Sequence, residues 1–359
     1  MNYRTAELLA AEDQTSGAGT KTIDLNGLSP ISRIIIQWII TKAHAGMNSY
    51  CHKDITKIEL VDGSDVLHSL DGGQNQALCI YDRKVGTMNH GQHIDANSQR
   101  STYGIDFGRF LWDPILAFDP MKFKNPQLKI TFDEDVSDTA ATANSLAVLA
   151  ECFDEKVISP MGFLSAKNFE SWTLSAAAAY HYLDLPTDLV VRKMLIQGYL
   201  AATEPWYQVA EAKLSEDNDK RIPFDWNLEK YHQLRKGMDS PVEENIVSQA
   251  NAAGYAIYAT PTDYWATLIP CGELPTHHWG IGASGKGGYF LVKNDGIMQY
   301  QAVCRGWLPN HCFQFPFGDQ QDIEDWYDVT RLGSLRLRLK SGSGSSGNVD
   351  TILQQLRMY

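Results

Sequence analysis

The segment Gly280-Ile281-Gly282-Ala283-Ser284-Gly285-Lys286 fits the first seven positions of a phosphate-binding loop. That chemistry needs backbone N–H groups and a lysine around the phosphates, a hydroxyl at the eighth position for magnesium, and a helix N-terminus behind the loop. The eighth residue is Gly287, and Gly288-Tyr289-Phe290-Leu291-Val292 reads as a strand. Both departures favour a flexible loop over a nucleotide site. His277-His278 and His311-Cys312 offer metal-ligand types, but adjacent side chains point apart and no further ligand follows at zinc spacing. Asp133-Glu134-Asp135 and Glu216-Asp217-Asn218-Asp219 carry the oxygens that calcium prefers, yet neither matches a twelve-residue calcium loop. Solvated turn charge is the expected reading of both. No G-x-S-x-G elbow occurs, and no carboxylate pair stands out for glycoside hydrolysis. The sequence therefore assigns no catalytic, cofactor-binding or metal-binding residue and no cofactor, and a non-enzymatic role is expected.

The elements around these residues are short strands. Leu335-Arg336-Leu337-Arg338-Leu339-Lys340 alternates strictly, which places three leucines on one face of a strand and three cations on the other. Leu128–Phe132 alternates likewise. Ile34–Ile36 is continuously apolar and β-branched, which suits a strand covered on both faces or one at a subunit contact. Asn26-Gly27, Asp62-Gly63, Asp71-Gly72-Gly73 and Asn294-Asp295-Gly296 read as turns between strands. Helix is the minority: Tyr3–Glu12, Leu228–Lys236, and Val242–Ala253 with Ser240 as N-cap and Pro241 as first helical residue.

A repeat organises the chain. Ile23-Asp24-Leu25 and Ile31–Gln37 recur 160 positions later as Leu183-Asp184-Leu185 and Val191–Gln197. Ile55–Leu60 with its acidic turn corresponds to Val209–Leu214 with Glu216–Asp219. Phe107-Gly108 followed by Leu128–Phe132 corresponds to Phe317-Gly318 followed by Leu335–Leu339. Leu146–Phe153 and Ile352–Tyr359 close the two halves. The spacing between copies grows toward the end, so the second half holds extra residues within 228–300. This gives an N-terminal arm over 1–20, a first β lobe over 21–160 and a second over 161–359 with that insertion.

The chain has 359 residues and a formal net charge of −12 from 31 cations and 43 anions. Its acidic balance argues against a broad nucleic-acid surface. Six scattered cysteines without a C-x-x-C pair suit free thiols in a reducing compartment. No signal peptide is visible, and the longest strongly apolar stretch, Ile34–Ile40, is too short to span a bilayer as a helix.

The doubled motif Ile23–Gln37 and Leu183–Gln197, Gly306-Trp307-Leu308-Pro309-Asn310 leading to Phe315-Pro316-Phe317-Gly318, Trp326-Tyr327-Asp328-Val329 and Leu335–Leu339 resemble double jelly-roll major capsid proteins of icosahedral viruses. The small tailless, corticovirus-like phage type looks most similar. The resemblance runs from about residue 20 to the end. It implies an all-β fold of two consecutive eight-stranded jelly rolls with a few short helices. It implies a homotrimer of pseudo-hexameric outline that tiles a virion shell and is assembled in the host cytoplasm. Implied partners are neighbouring capsomers, penton and minor capsid proteins and an internal membrane, without sequence-specific nucleic-acid binding. Two other classes stay open on the same pattern: a two-jelly-roll glycan-acting enzyme of amidase type, and a carbohydrate-binding spike.

Overall fold

A computed structural model describes the chain except residues 15–16, 43–50, 86–88, 94–97, 137–140, 251–254, 272–277, 282–286, 295–297 and 345. The first half contributes β1 (Tyr3–Asp13), β2 (Ala18–Asp24), β3 (Ile31–Lys42), β4 (Ile55–Asp62), β5 (Asp65–Leu70), α1 (Gly72–Arg83), β6 (Asn89–His93), β7 (Ser98–Asp106), β8 (Pro126–Asp133) and β9 (Ala141–Phe153). The second contributes β10 (Gly162–Thr173), β11 (Tyr180–Leu185), β12 (Val191–Tyr199), β13 (Val209–Glu216), β14 (Arg221–Asn227) and α2 (Leu228–Arg235). An insertion follows: β15 (Val242–Ala250), β16 (Tyr255–Tyr258), β17 (Pro261–Cys271), β18 (His278–Ile281), β19 (Tyr289–Asn294) and β20 (Met298–Pro309). The chain ends with β21 (Cys312–Pro316), β22 (Leu335–Ser341) and β23 (Asn348–Met358).

Each half folds into the same pair of four-stranded layers. The strand orders are β1-β9-β3-β7 over β2-β8-β4-β5 in the first, and β10-β23-β12-β21 over β11-β22-β13-β14 in the second. This is the jelly-roll order, built twice. The registers repeat as well as the order. Ile35 lies opposite Leu149, and Leu195 opposite Ile352. Both β3 and β12 carry a bulge after their first residue, at Ile31 and Val191. The β5 edge pairs in parallel with β10, Ser69 opposite Lys167, so a layer of each roll joins into one eight-stranded sheet.

Alternation decides which side chains enter each core. In β22, Leu335, Leu337 and Leu339 are buried. Arg336 and Lys340 meet Asp184 and Glu211 on the adjacent strands, each at 2.7 Å. Leu128, Ile130 and Phe132 do the same inward work in β8. The first roll's core also holds Trp38, whose Nε1 donates to Asp54 Oδ2 at 3.1 Å, and the second packs around Met194, Phe313, Phe315 and Leu337.

Two expected helices are strands. Tyr3–Asp13 pairs with β9 from Tyr3 opposite Phe153 to Asp13 opposite Ser145, so this segment is an edge strand of the first roll and not a separate arm. Its Ala, Leu and Glu residues favour helix only weakly, and pairing overrides that preference. Val242–Ala250 pairs with β20 along its whole length. Its inward positions are Val242, Glu244 and Ile246; the buried Glu244, which accepts from Thr260 N at 2.6 Å, hides the alternation. Helix Leu228–Arg235 forms as expected, and the insertion runs on to Pro309. Ile34 and Ile36 are buried, whereas Ile35 is half-buried on the opposite face of the sheet.

Candidate functional site

The junction between the rolls is built around α1. Asp71-Gly72-Gly73 is its start and not a turn: Asp71 caps the helix, its carboxylate accepts from Gln74 N at 2.7 Å, and Gln74 Oε1 accepts from Asp71 N. The D-x-x-Q spacing of a capping box was present in the sequence. Helix α1 lies against β7, where Gly104 N donates to Asn75 Oδ1 at 3.0 Å. Its other side meets the second roll. Gln74 Nε2 donates to Gln197 Oε1 at 3.1 Å, Asn310 Nδ2 donates to Gly73 O at 2.9 Å, and Tyr81 OH donates to Cys312 O at 2.7 Å. Beneath these bonds Leu70 and Leu78 of the first roll pack on Ala166, Leu195 and Ile352 of the second.

An ion triad closes the junction. Asp82 takes Arg192 at 2.9 Å and Lys193 at 2.6 Å, and Gln354 donates to its other oxygen at 2.7 Å. All three charged side chains are almost fully buried. Burial works to raise the Asp82 carboxyl, but Arg192 and Lys193 overcome it and hold Asp82 well below the usual carboxylate range. This pairing fixes one roll against the other. The C-terminus adds a further clasp, with Tyr359 OH donating to Ala117 O at 2.6 Å.

A pocket of about 270 Å³ lies beside the α1 N-terminus, lined by Lys53, Asp71, Tyr199 and Asp350 among others. Burial is the main cause that pushes Asp71 up to about 7; the Gln74 amide opposes it and Asp350 adds repulsion. Burial also raises Asp350 and pulls Lys53 down to about 8. Lys53 Nζ sits 4.4 Å from the centre of the Tyr199 ring. Burial pulls His52 and His311 down to about 3, so both are neutral at pH 7.

This environment sets a testable pH dependence. A carboxyl whose folded pKa is raised binds more protons folded than unfolded between about pH 4 and 7, so its contribution to stability falls as pH rises through that window. Asn227 is the corresponding N-cap of α2 and accepts from Lys230 N at 3.0 Å without a charge. Asp71→Asn keeps the cap. It is expected to match the parent near pH 4 and to exceed it at pH 8 by on the order of 1 kcal/mol in urea unfolding. A parent more stable than the variant at pH 8 rejects this account.

The residues singled out from sequence divide as follows. Positions 282–286 of the glycine-rich loop, and His277, lie outside the described residues; β19, a strand and not a helix, follows the loop. His311 and Cys312 are buried where β20 turns into β21, in the junction. The acidic turns are less solvated than expected. Glu134 is buried and accepts from Gly17 N at 2.7 Å and Asn144 Nδ2 at 2.6 Å. Glu216 is buried against Arg221 and Tyr327, and Asp217 accepts from Gly333 N at 2.8 Å. These carboxylates strap loops. Among the described residues no group of three or more His, Cys, Asp or Glu is placed to hold a metal ion. Cys79, Cys152, Cys304 and Cys312 are buried free thiols.

Two jelly rolls of one strand order, fused along a sheet and an α1-filled junction, define a double jelly-roll protein. No family model and no curated protein matches the sequence. Solved structures of the same fold do match over essentially the whole chain. The major capsid protein of Sulfolobus turreted icosahedral virus is similar at TM-score 0.60 and 11% identity, over 99% of this chain and 97% of that one. The major capsid protein of bacteriophage PM2 is similar at TM-score 0.54 and 9% identity, over 99% and 98%. The PBCV-1 virus capsid gives TM-score 0.59 and 8% identity, over 99% and 93%.

Proposed function

We propose that this chain is a major capsid protein, forming homotrimers of pseudo-hexameric outline that tile an icosahedral shell. The supporting observation is the pair of like rolls in one chain, a fold that is similar over its whole length to the capsid proteins above. Two similar lobes per chain let three chains present six similar positions to their neighbours. A shell subunit also needs lobes that do not hinge, and the Asp82 triad with the continuous β5–β10 sheet supplies that stiffness. The role is structural and not enzymatic. Its partners are further trimers, then penton and minor capsid proteins and an underlying membrane. Its place is the virion, after assembly in the host cytoplasm.

A glycan-acting enzyme or carbohydrate-binding spike fits less well. An enzyme of two lobes needs an open crevice with accessible carboxylates. Here Asp82, the α1 carboxylate that faces the second roll, is buried and ion-paired with Arg192 and Lys193. The test is native mass by light scattering with electron microscopy of the purified chain. A particle of three times 40.1 kDa, or closed shells, is expected. A stable monomer that cleaves glycopeptides rejects the proposal.

A further inference from the structure

The insertion in the second half has a covered face and an open one, and the open one carries side chains that its fold does not use. Strands β15, β20 and β17 pair antiparallel in one register. Alternation sends Ile246, Ala302, Cys304 and Tyr264 to one side, where Ile257 and Ala259 pack over them. On the other side Glu243 of β15, Arg305 of β20 and Trp265 of β17 stand directly opposite one another in a row. All three are exposed, Trp265 to 72%, the most of any tryptophan among the described residues. Its ring contributes almost nothing to the core of the insertion.

The chemistry around that ring is selective. Among the described residues no hydrogen bond or ion pair engages the side chains of Trp265, Arg305 or Glu243. The adjacent row, Asn245, Val303 and Thr267, adds an amide and a hydroxyl beside one half-buried apolar side chain. A protein partner needs about 800 Å² on each side with an apolar centre. Here one indole is ringed by polar groups. A nucleobase also stacks on indole, but Arg305 is the one cation in the two rows, and Glu243 repels a phosphate. A pyranose ring has the complementary layout. One face of C–H bonds fits the indole, and the rim of hydroxyls both donates and accepts. Arg305 only donates and ionised Glu243 only accepts, so together they satisfy both senses.

We infer that the open face of β15, β20 and β17 binds a neutral sugar of a glycan, stacked on Trp265 with its hydroxyls held by Arg305 and Glu243. Adjacent strands lie about 4.8 Å apart, so the row from Trp265 to Glu243 spans roughly 10 Å. That length takes a ring over the indole and its hydroxyls over the two charged groups. Stacking on the indole supplies most of the affinity, and the charged pair sets the orientation. A single open site of this kind is weak, and many copies on one assembly bind together far more tightly. The site lies within the insertion and stands whether or not the chain forms a shell. On a virion it holds the particle to a glycosylated surface, which adds attachment to the structural role.

The test is saturation-transfer NMR of the full chain with the methyl glycosides of glucose, galactose, mannose and N-acetylglucosamine, beside an array of neutral and acidic glycans. At least one neutral glycoside is expected to receive saturation on the C–H bonds of one ring face. Trp265→Ala is expected to weaken its binding about ten-fold or more, and Trp265→Phe to keep most of it. Arg305→Ala and Glu243→Ala are each expected to weaken it about five-fold. All four side-chain changes lie on the open face, so the thermal midpoint should stay within a few degrees of the parent. A parent that binds no neutral sugar overturns the inference, as does a Trp265→Ala variant that binds as the parent does. Binding of acidic glycans alone, lost with Arg305→Ala and kept with Trp265→Ala, replaces the sugar site by an anion site. A Trp265→Ala variant with lowered native mass and unchanged sugar binding gives this face to a second copy. A monomer that still binds the sugar through Trp265 keeps the site and overturns the trimer.

Discussion

Asp82→Ala is expected to remove about 3–5 kcal/mol of stability, as for breaking any buried ion pair from one side. The effect is large because of what remains. Arg192 and Lys193 stay almost fully buried with their shared counter-charge gone. Gln354 Oε1 and Gln320 O accept from Arg192 but carry no charge. Removing all three charges together, as Asp82→Leu/Arg192→Met/Lys193→Met, is expected to recover most of the loss, since burial of unpaired charge is the cost. Acid should erode the same contribution in part. The Asp82 carboxyl is held below its unfolded value, so its stabilisation is present above about pH 4 and is lost as pH falls further. Urea unfolding of the parent and both variants at pH 7 and pH 3 measures this. A loss below 1 kcal/mol for Asp82→Ala at pH 7 rejects the triad as the lock between the rolls.

The junction was the part of the molecule least legible in the sequence. The repeat itself was legible because packing imposes it: Ile34, Ile36, Met194 and Ile196 fill equivalent core positions, so their spacing survives. The alternating Leu335–Leu339 was equally plain, since one face is core and the other solvent. Helix α1 was missed because it is buried on nearly all sides through Gln74, Asn75 and Gln76, which carry no amphipathic stripe. Only its capping box announced it. Strand β15 was misread for a related reason, a buried Glu244 at an inward position. Polar residues buried in a junction look like surface in a sequence, and the partner that ties Gln74 to the second roll, Gln197, lies more than a hundred positions away.

That same property separates what holds one roll together from what joins it to another. Each core is apolar and self-contained. The internal junction combines a small apolar cluster with a charge triad and a ladder of amide bonds. The triad is not duplicated: Met238 stands where Asp82 would, and Ser32 and Arg33 stand for Arg192 and Lys193.

The repeat thus places one strand position in two different settings, and a matched pair of substitutions distinguishes them. Leu195 is 1% exposed on the outer face of β12, packed by Leu70, Leu78 and Ile352. Leu195→Asp buries a carboxylate with no cation in that cluster, at a cost of several kcal/mol, enough to exhaust the stability of an ordinary domain. It is expected to give insoluble or unfolded chain. Ile35 occupies the same position of the first roll, opposite Leu149, but is only half-buried. Ile35→Asp leaves its carboxylate within reach of water in the single chain. It is expected to shift the thermal midpoint by only a few degrees and to abolish the proposed trimer, because a neighbouring subunit closing over this face would bury the new charge. Thermal unfolding and size-exclusion with light scattering read the two effects separately. Unfolding of Ile35→Asp would mean that the outer face of the first roll is already covered within one chain. A soluble, trimeric Ile35→Asp would mean that this face meets solvent in the assembled particle.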